Sequence, residues 1–242
     1  MGAIPPPFCL MGGWSVYLTV NESFKRATGR DYLGSRDIDL GFHFNPRWKR
    51  KEFKNSPLGI ALTKIKAMGF EEESFRFVKR YHRLEGRELT YDESQRLPQY
   101  DIFNLYIDIL VDSKDPIRFK LAGFKILDEP LLARVFAGKE YLKTELYKVD
   151  VLIPTPEILI KMKIKSFPDR TQDDKKTKDL TNICALLLYS SYSPIGQTIQ
   201  GKRIRQRYKK ALTETTKEEW EHVVTALDIN ISTAKRIARL MP

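Results

Sequence analysis

Two acidic side chains, Asp37 and Asp39, stand two residues apart in the stretch Gly34-Ser35-Arg36-Asp37-Ile38-Asp39-Leu40-Gly41-Phe42-His43-Phe44. In an extended strand alternate residues share a face, so both carboxylates point one way while Ile38 and Leu40 point the other. Two carboxylates held side by side repel, and a divalent cation between them relieves the repulsion. The pair therefore reads as a cation site. A third acid, Asp108, sits inside the apolar run DIFNLYIDILVD of residues 101–112. There it is either partnered by a cation or metal, or solvated near a strand end. Upstream, Gly12-Gly13 precedes a predicted helix. Amide groups at a helix start attract anions, and glycine lets a phosphate approach closely, although a diglycine is more often a plain turn.

Several elements must hold these groups in place. Residues 5–11 read as a lead-in and a short strand, and 14–27 as a helix with Trp14, Tyr17, Leu18 and Phe24 on one face, stopped at Thr28-Gly29. A polar loop, 30–35, returns the chain to the acidic strand. A basic loop, 45–56, interleaves Trp48 with Arg47, Lys49, Arg50 and Lys51. That composition suits a phosphate backbone or a stacked base, though such loops are more often simply exposed. Ser56 and Pro57 start a second helix that ends at Gly69. Residues 73–83 and 89–91 form a strand pair around Glu85-Gly86-Arg87, and 101–112 a strand buried on both faces. Residues 116–146 are mixed, with a helix near 130–136, and 147–153 is the next strand.

Thr155-Pro156 opens a helix over 158–167 that carries Lys161, Lys163 and Lys165. A charged loop leads into an apolar helix ending at Tyr189, and 190–201 is a Ser/Pro/Gly linker. Three short helices follow, over 202–212, 216–227 and 232–240. The last two resemble a DNA-reading pair, but a helical hairpin covering the core explains them better.

The 242 residues are enough for one large domain or two small ones. No apolar run approaches the ~20 residues of a membrane span. Two cysteines, Cys9 and Cys184, exclude a disulfide framework, and residues 1–11 lack the basic start of a secretory signal. A cytoplasmic location follows as the expectation. Lysine and arginine exceed aspartate and glutamate by 42 to 31, a net charge of +11 concentrated in 47–51, 161–178 and 202–210. A surplus so clustered favours polyanionic partners over a uniformly solvated surface.

In order and spacing, Gly12-Gly13, Asp37-Ile38-Asp39 and Asp108 resemble the DNA polymerase beta-like nucleotidyltransferase superfamily. Within it the chain looks most like the minimal AbiEii-type toxin group, through Gly12-Gly13-Trp14-Ser15, residues 37–40, the 158–165 helix and Lys178-Asp179-Leu180-Thr181-Asn182. Asn182 departs from that pattern, which commonly has aspartate there. The resemblance implies an α/β (α+β) fold: a mixed sheet flanked by helices in a catalytic core over 1–153, and a helical C-terminal region over 154–242. It implies an enzyme that transfers a nucleoside monophosphate from a nucleoside triphosphate to a hydroxyl of RNA, protein or a small molecule. Asp37, Asp39 and Asp108 would be catalytic residues and would bind Mg²⁺ or Mn²⁺. Gly12, Gly13, Ser35 and Lys163 would bind the nucleotide. The implied partners are a nucleoside triphosphate, tRNA or other RNA, and a cognate antitoxin. The rival expectations are a non-catalytic nucleic-acid-binding or toxin–antitoxin partner that keeps the fold, and a DNA-binding regulator using the last two helices.

Overall fold

The computed structural model describes residues 4–146, 148–171, 173–191 and 202–240. The chain divides into two compact units. The first holds the residues up to Trp14 together with Ser35–Pro154, and the second holds Ser15–Gly34 and the chain from Thr155 onward.

Among the described residues of the first unit, nine strands make one mixed sheet: β1 (Cys9–Met11), β2 (Asp37–Phe42), β3 (Glu71–Glu73), β4 (Arg76–His82), β5 (Glu88–Leu89), β6 (Ile102–Val111), β7 (Leu127–Asp128), β8 (Tyr141–Leu146) and β9 (Val149–Pro154). The main order is β3-β4-β6-β2-β1-β9-β8, with β5 beside β4 and β7 beside β6. Strand β2 runs antiparallel to β1 and parallel to β6, and β6 runs antiparallel to β4. Alternation divides the residues between two faces. Leu10, Leu40, Phe77, Ile107 and Ile109 share one and are buried. Met11, Asp39, Asp108 and Arg76 form a cross-strand row on the other.

The helices are α1 (Gly12–Thr28), α2 (Arg50–Asn55), α3 (Pro57–Ala67), α4 (Tyr91–Gln95), α5 (Ile117–Ala122), α6 (Leu132–Phe136), α7 (Pro156–Ser166), α8 (Asp173–Tyr189), α9 (Lys202–Thr213), α10 (Lys217–Leu227) and α11 (Ile231–Ala238). Ser56 caps α3 by accepting from the Gly59 amide, as its sequence predicts. In the second unit Val16, Val20 and Phe24 of α1 pack with Leu159 and Ile164 of α7, Ile183 and Leu186 of α8, Trp220 and Val223 of α10 and Ala234 of α11. Tyr208 of α9 closes this core and donates its hydroxyl to the Ala238 carbonyl at 2.9 Å.

The expected mixed sheet, flanking helices and helical C-terminal region are all present. The body of α1, expected within the catalytic core, counts instead with the C-terminal helices, because its apolar stripe is buried in their core. The loop expected over 45–56 ends in a helix, α2. Strand β8 was hidden in the mixed stretch, since Tyr141-Leu142-Lys143-Thr144-Glu145-Leu146 shows no apolar alternation and none of its residues is buried. The predicted Ser/Pro/Gly linker lies mostly outside the described residues.

Candidate active site

Strand β2 positions the acidic pair. Asp37 and Asp39 are both half-buried and lie opposite Tyr106 and Asp108 of the parallel neighbour β6. Register pairing puts Asp39 and Asp108 on the same face of adjacent strands, about 4.8 Å apart along the sheet. On the other side Asp39 is registered with Met11, the residue immediately before α1. A Cβ on Gly12 would overlap Asp39 Oδ2 and come within 2.7 Å of its Cγ, so the carboxylate lies directly against the first residue of the helix. Gly12 also has φ +63°, the left-handed region that glycine enters without strain. The position of Gly12 is thus explained by a carboxylate. Gly13 is buried in the first turn, and Ser35 is half-buried in the loop before β2.

Asp108 is buried and already engaged. Arg76, opposite it on β4, donates Nε to Oδ1 at 2.9 Å and Nη2 to Oδ2 at 2.6 Å. The guanidinium also stacks over the Tyr106 ring, 4.3 Å from its centroid. Burial works against the Arg76 charge, yet the bonds to Asp108 and the fields of Asp108 and Asp37 raise its pKa above the ordinary arginine value. Of the two partners open to Asp108 from sequence, a cation or solvent, the structure supplies a cation, and it is a side chain. Among the described residues no three His, Cys, Asp or Glu side chains converge as metal ligands. The fork of Arg76 takes both oxygens of the third of the three acids expected at a metal. Sequence reasoning missed Arg76. Its one signal was the need of a buried carboxylate for a counterion.

No family model matches the chain, and no curated protein matches it. A crystal structure of an antigenic nucleotidyltransferase-like protein from Paracoccidioides brasiliensis is similar to it over 91% of this chain and 84% of that one, at 13% identity and a TM-score of 0.46.

Lys163, on α7 in the second unit, donates to Asp179 Oδ1 at 2.7 Å. Ser166 and Arg170 bond the other oxygen of Asp179 at 2.9 and 2.8 Å. Burial acts to raise the Asp179 pKa, but the charges of Lys163 and Arg170 outweigh it and hold the carboxyl below its usual range. The structure thus gives Lys163 an internal partner where a phosphate was expected. Asn182, one turn beyond Asp179, is buried, and its Oδ1 accepts from the Tyr32 hydroxyl at 2.9 Å.

Two half-buried carboxylates on one face suit Mg²⁺, which characteristically takes one or two carboxylates and completes its shell with water and substrate phosphates. Asp37 and Asp39 fit that donor set, with Arg76 beside them as a cation of bidentate geometry. No helix among the described residues is long and apolar enough to cross a membrane.

Proposed function

We propose that this chain is a Mg²⁺-dependent nucleotidyltransferase that moves a nucleoside monophosphate from a nucleoside triphosphate to an acceptor hydroxyl. One observation carries the reading: Asp37 and Asp39 share a face of β2 at the start of α1, in register with a third acid on the parallel neighbour. Asp37 and Asp39 would hold the metal, which when bound supplies charge neutralisation for the triphosphate. The first turn of α1, with Gly12 and Gly13, turns its amides toward anions and would hold phosphate oxygens, with Ser35 adding a hydroxyl. Arg76 sets a positive charge beside Asp108 and within the field of Asp37, which offsets the repulsion among three acids on one face. In the reaction the acceptor oxygen bonds to the α-phosphorus, the bond to pyrophosphate breaks, and the hydroxyl proton passes to a carboxylate, for which Asp108 is the candidate. The order of the motifs supports placing the chain near the AbiEii toxin group, and with it RNA as acceptor and a toxin–antitoxin context.

A second reading, a non-catalytic member that keeps the fold, is favoured by the Arg76–Asp108 pair, which occupies both oxygens of the third acid. Incubation with each labelled triphosphate, Mg²⁺ and either total RNA or total protein separates the two. We expect label transfer by the parent and at least a hundredfold loss in both Asp37→Asn and Asp39→Asn. If no acceptor is labelled and both variants bind triphosphate as the parent does, nucleotidyl transfer is wrong and the second reading stands.

A further inference from the structure

The segment after β2 builds a surface that the carboxylate chemistry does not use. Residues 45–55 contain five cations, Arg47, Lys49, Arg50, Lys51 and Lys54, and one acid, Glu52, a local net charge of +4. All five cations are exposed, and among the described residues none has an acidic partner. Glu52 is engaged by the backbone, its carboxylate accepting from the Lys49 amide at 2.7 Å as a helix cap. Asn45 stiffens the other half of the segment, accepting from the Arg47 amide at 2.9 Å through its side chain and from the Trp48 amide at 3.1 Å through its carbonyl. The cations therefore project from a fixed backbone, which reduces the ordering cost of binding.

Two aromatic rings stand among them. Trp48 is half-buried and packs edge-on against Phe44 and His43, at centroid distances of 5.7 and 6.1 Å. The His43 side chain is 54% exposed, and its Nδ1 is held 2.6 Å from Asp112 Oδ2, while the Phe44 amide donates to the other oxygen. His43 is thus an exposed ring with a fixed orientation. It lies four residues beyond Asp39 along β2, about 13 Å at the rise of a strand. Leu132 of α6 packs over Gly41 between them, so the two sites are separate.

We infer that this face, Arg47, Lys49, Arg50, Lys51 and Lys54 around Trp48 and His43, is a docking surface for single-stranded nucleic acid. Unpaired cations in a fixed array match a row of phosphates, and the exposed His43 ring beside half-buried Trp48 offers an aromatic surface to an unstacked base. An acidic protein would satisfy the charges but leave the rings without a purpose. The inference does not rest on the proposed reaction, since binding needs neither metal nor triphosphate.

The test is fluorescence anisotropy with a labelled 12-nucleotide oligo(U) and oligo(dT), without Mg²⁺, on the parent and two charge-matched triple variants. One is Arg47→Glu/Lys49→Glu/Lys51→Glu. The other is Lys202→Glu/Arg203→Glu/Lys209→Glu on the basic helix α9, which changes net charge equally. We expect the first to weaken binding at least tenfold and to lower the slope of log affinity against log salt by about 2, at roughly 0.7 for each phosphate no longer neutralised. The second should stay within threefold of the parent. His43→Ala, at an exposed ring, should cost several-fold in affinity with little change in that slope. Comparable binding of the two oligomers supports a surface that reads backbone and stacking, and a preference for oligo(U) adds recognition of the 2′-hydroxyl. Equal losses in both triple variants would overturn the inference in favour of net charge alone. Displacement of the oligomer by polyglutamate at equal charge concentration would overturn it in favour of an acidic protein. Absence of binding at low salt overturns it outright.

Discussion

Replacing Gly12 with alanine tests the contact on which the site geometry depends. The substitution acts twice. At φ +63° a side chain costs about 1–2 kcal/mol in backbone strain. The new methyl would also overlap Asp39 Oδ2, with Cγ only 2.7 Å away, and a short side chain fixed to β2 has little room to retreat. Overpacking of that kind costs about 1–3 kcal/mol more. Removing the carboxylate removes the second cost, since the remaining Cβ of residue 39 lies 3.3 Å from the new methyl, a tight contact that small shifts relieve. The assay is urea denaturation of four proteins: the parent, Gly12→Ala, Asp39→Ala and the double variant. Gly12→Ala should destabilise the parent by about 2–5 kcal/mol, yet cost only the strain term in the Asp39→Ala background, a coupling of about 1–3 kcal/mol. Mg²⁺-dependent triphosphate binding should weaken in Gly12→Ala as Asp39 is displaced. Additivity to within about 0.5 kcal/mol would mean that the carboxylate does not sit on Gly12, and the account of both residues would fail.

Two titratable groups yield further expectations. Asp179 is 2% exposed, and its folded pKa is depressed mainly by Lys163 and Arg170 against the effect of burial. Its stabilisation is present above the unfolded carboxyl value of about 3.9 and fades as pH falls toward and through the folded value. Asp179→Asn should therefore lower stability by about 3–5 kcal/mol at pH 7, with a gap that narrows below pH 4 in thermal melts. A gap independent of pH would contradict the assignment. For His43 the bond to Asp112 raises the pKa, partly opposed by burial. The stability contributed by this pair is full below the ordinary histidine value of about 6.5 and is lost as pH rises through the folded value. Asp112→Asn should move the His43 midpoint down in an NMR titration of the imidazole, and an unchanged midpoint would show the bond to be inconsequential.

The acidic pair was legible because its cause is local: a two-residue period puts Asp37 and Asp39 on one face wherever the strand forms. The diglycine was legible as a helix start for the same reason. The Asp39–Asp108 register was not, since strands 69 residues apart reveal their alignment only through pairing. Arg76 was hidden more deeply. It begins a strand that was expected over 73–83, but nothing in that stretch says that its guanidinium faces Asp108 on the next strand. The helix of residues 14–27 was readable as amphipathic. Which of two cores would bury Val16, Val20 and Phe24 depends on long-range packing and had no local mark.

The residues most closely tied to the resemblance show where reasoning from motif order stops. Lys163 and Asp179 lie 16 positions apart, and their types suit phosphate and metal chemistry equally well. In the fold they neutralise one another, with Arg170 and Ser166 saturating the same carboxylate. A basic and an acidic motif that each suggest a ligand are also the two halves of an ion pair, and the distinction lies in burial. Asp179, almost fully buried and bonded on both oxygens, has little capacity left for a metal, whereas Asp37 and Asp39 are half-buried and remain reachable from solvent. Asn182 is consistent with this division. An amide there accepts from Tyr32 inside the helical core without adding charge, where a second aspartate would carry an unneutralised charge into an apolar environment. In this chain, then, the charged side chains of the helical motif satisfy one another, and the chemistry proposed above draws on the sheet.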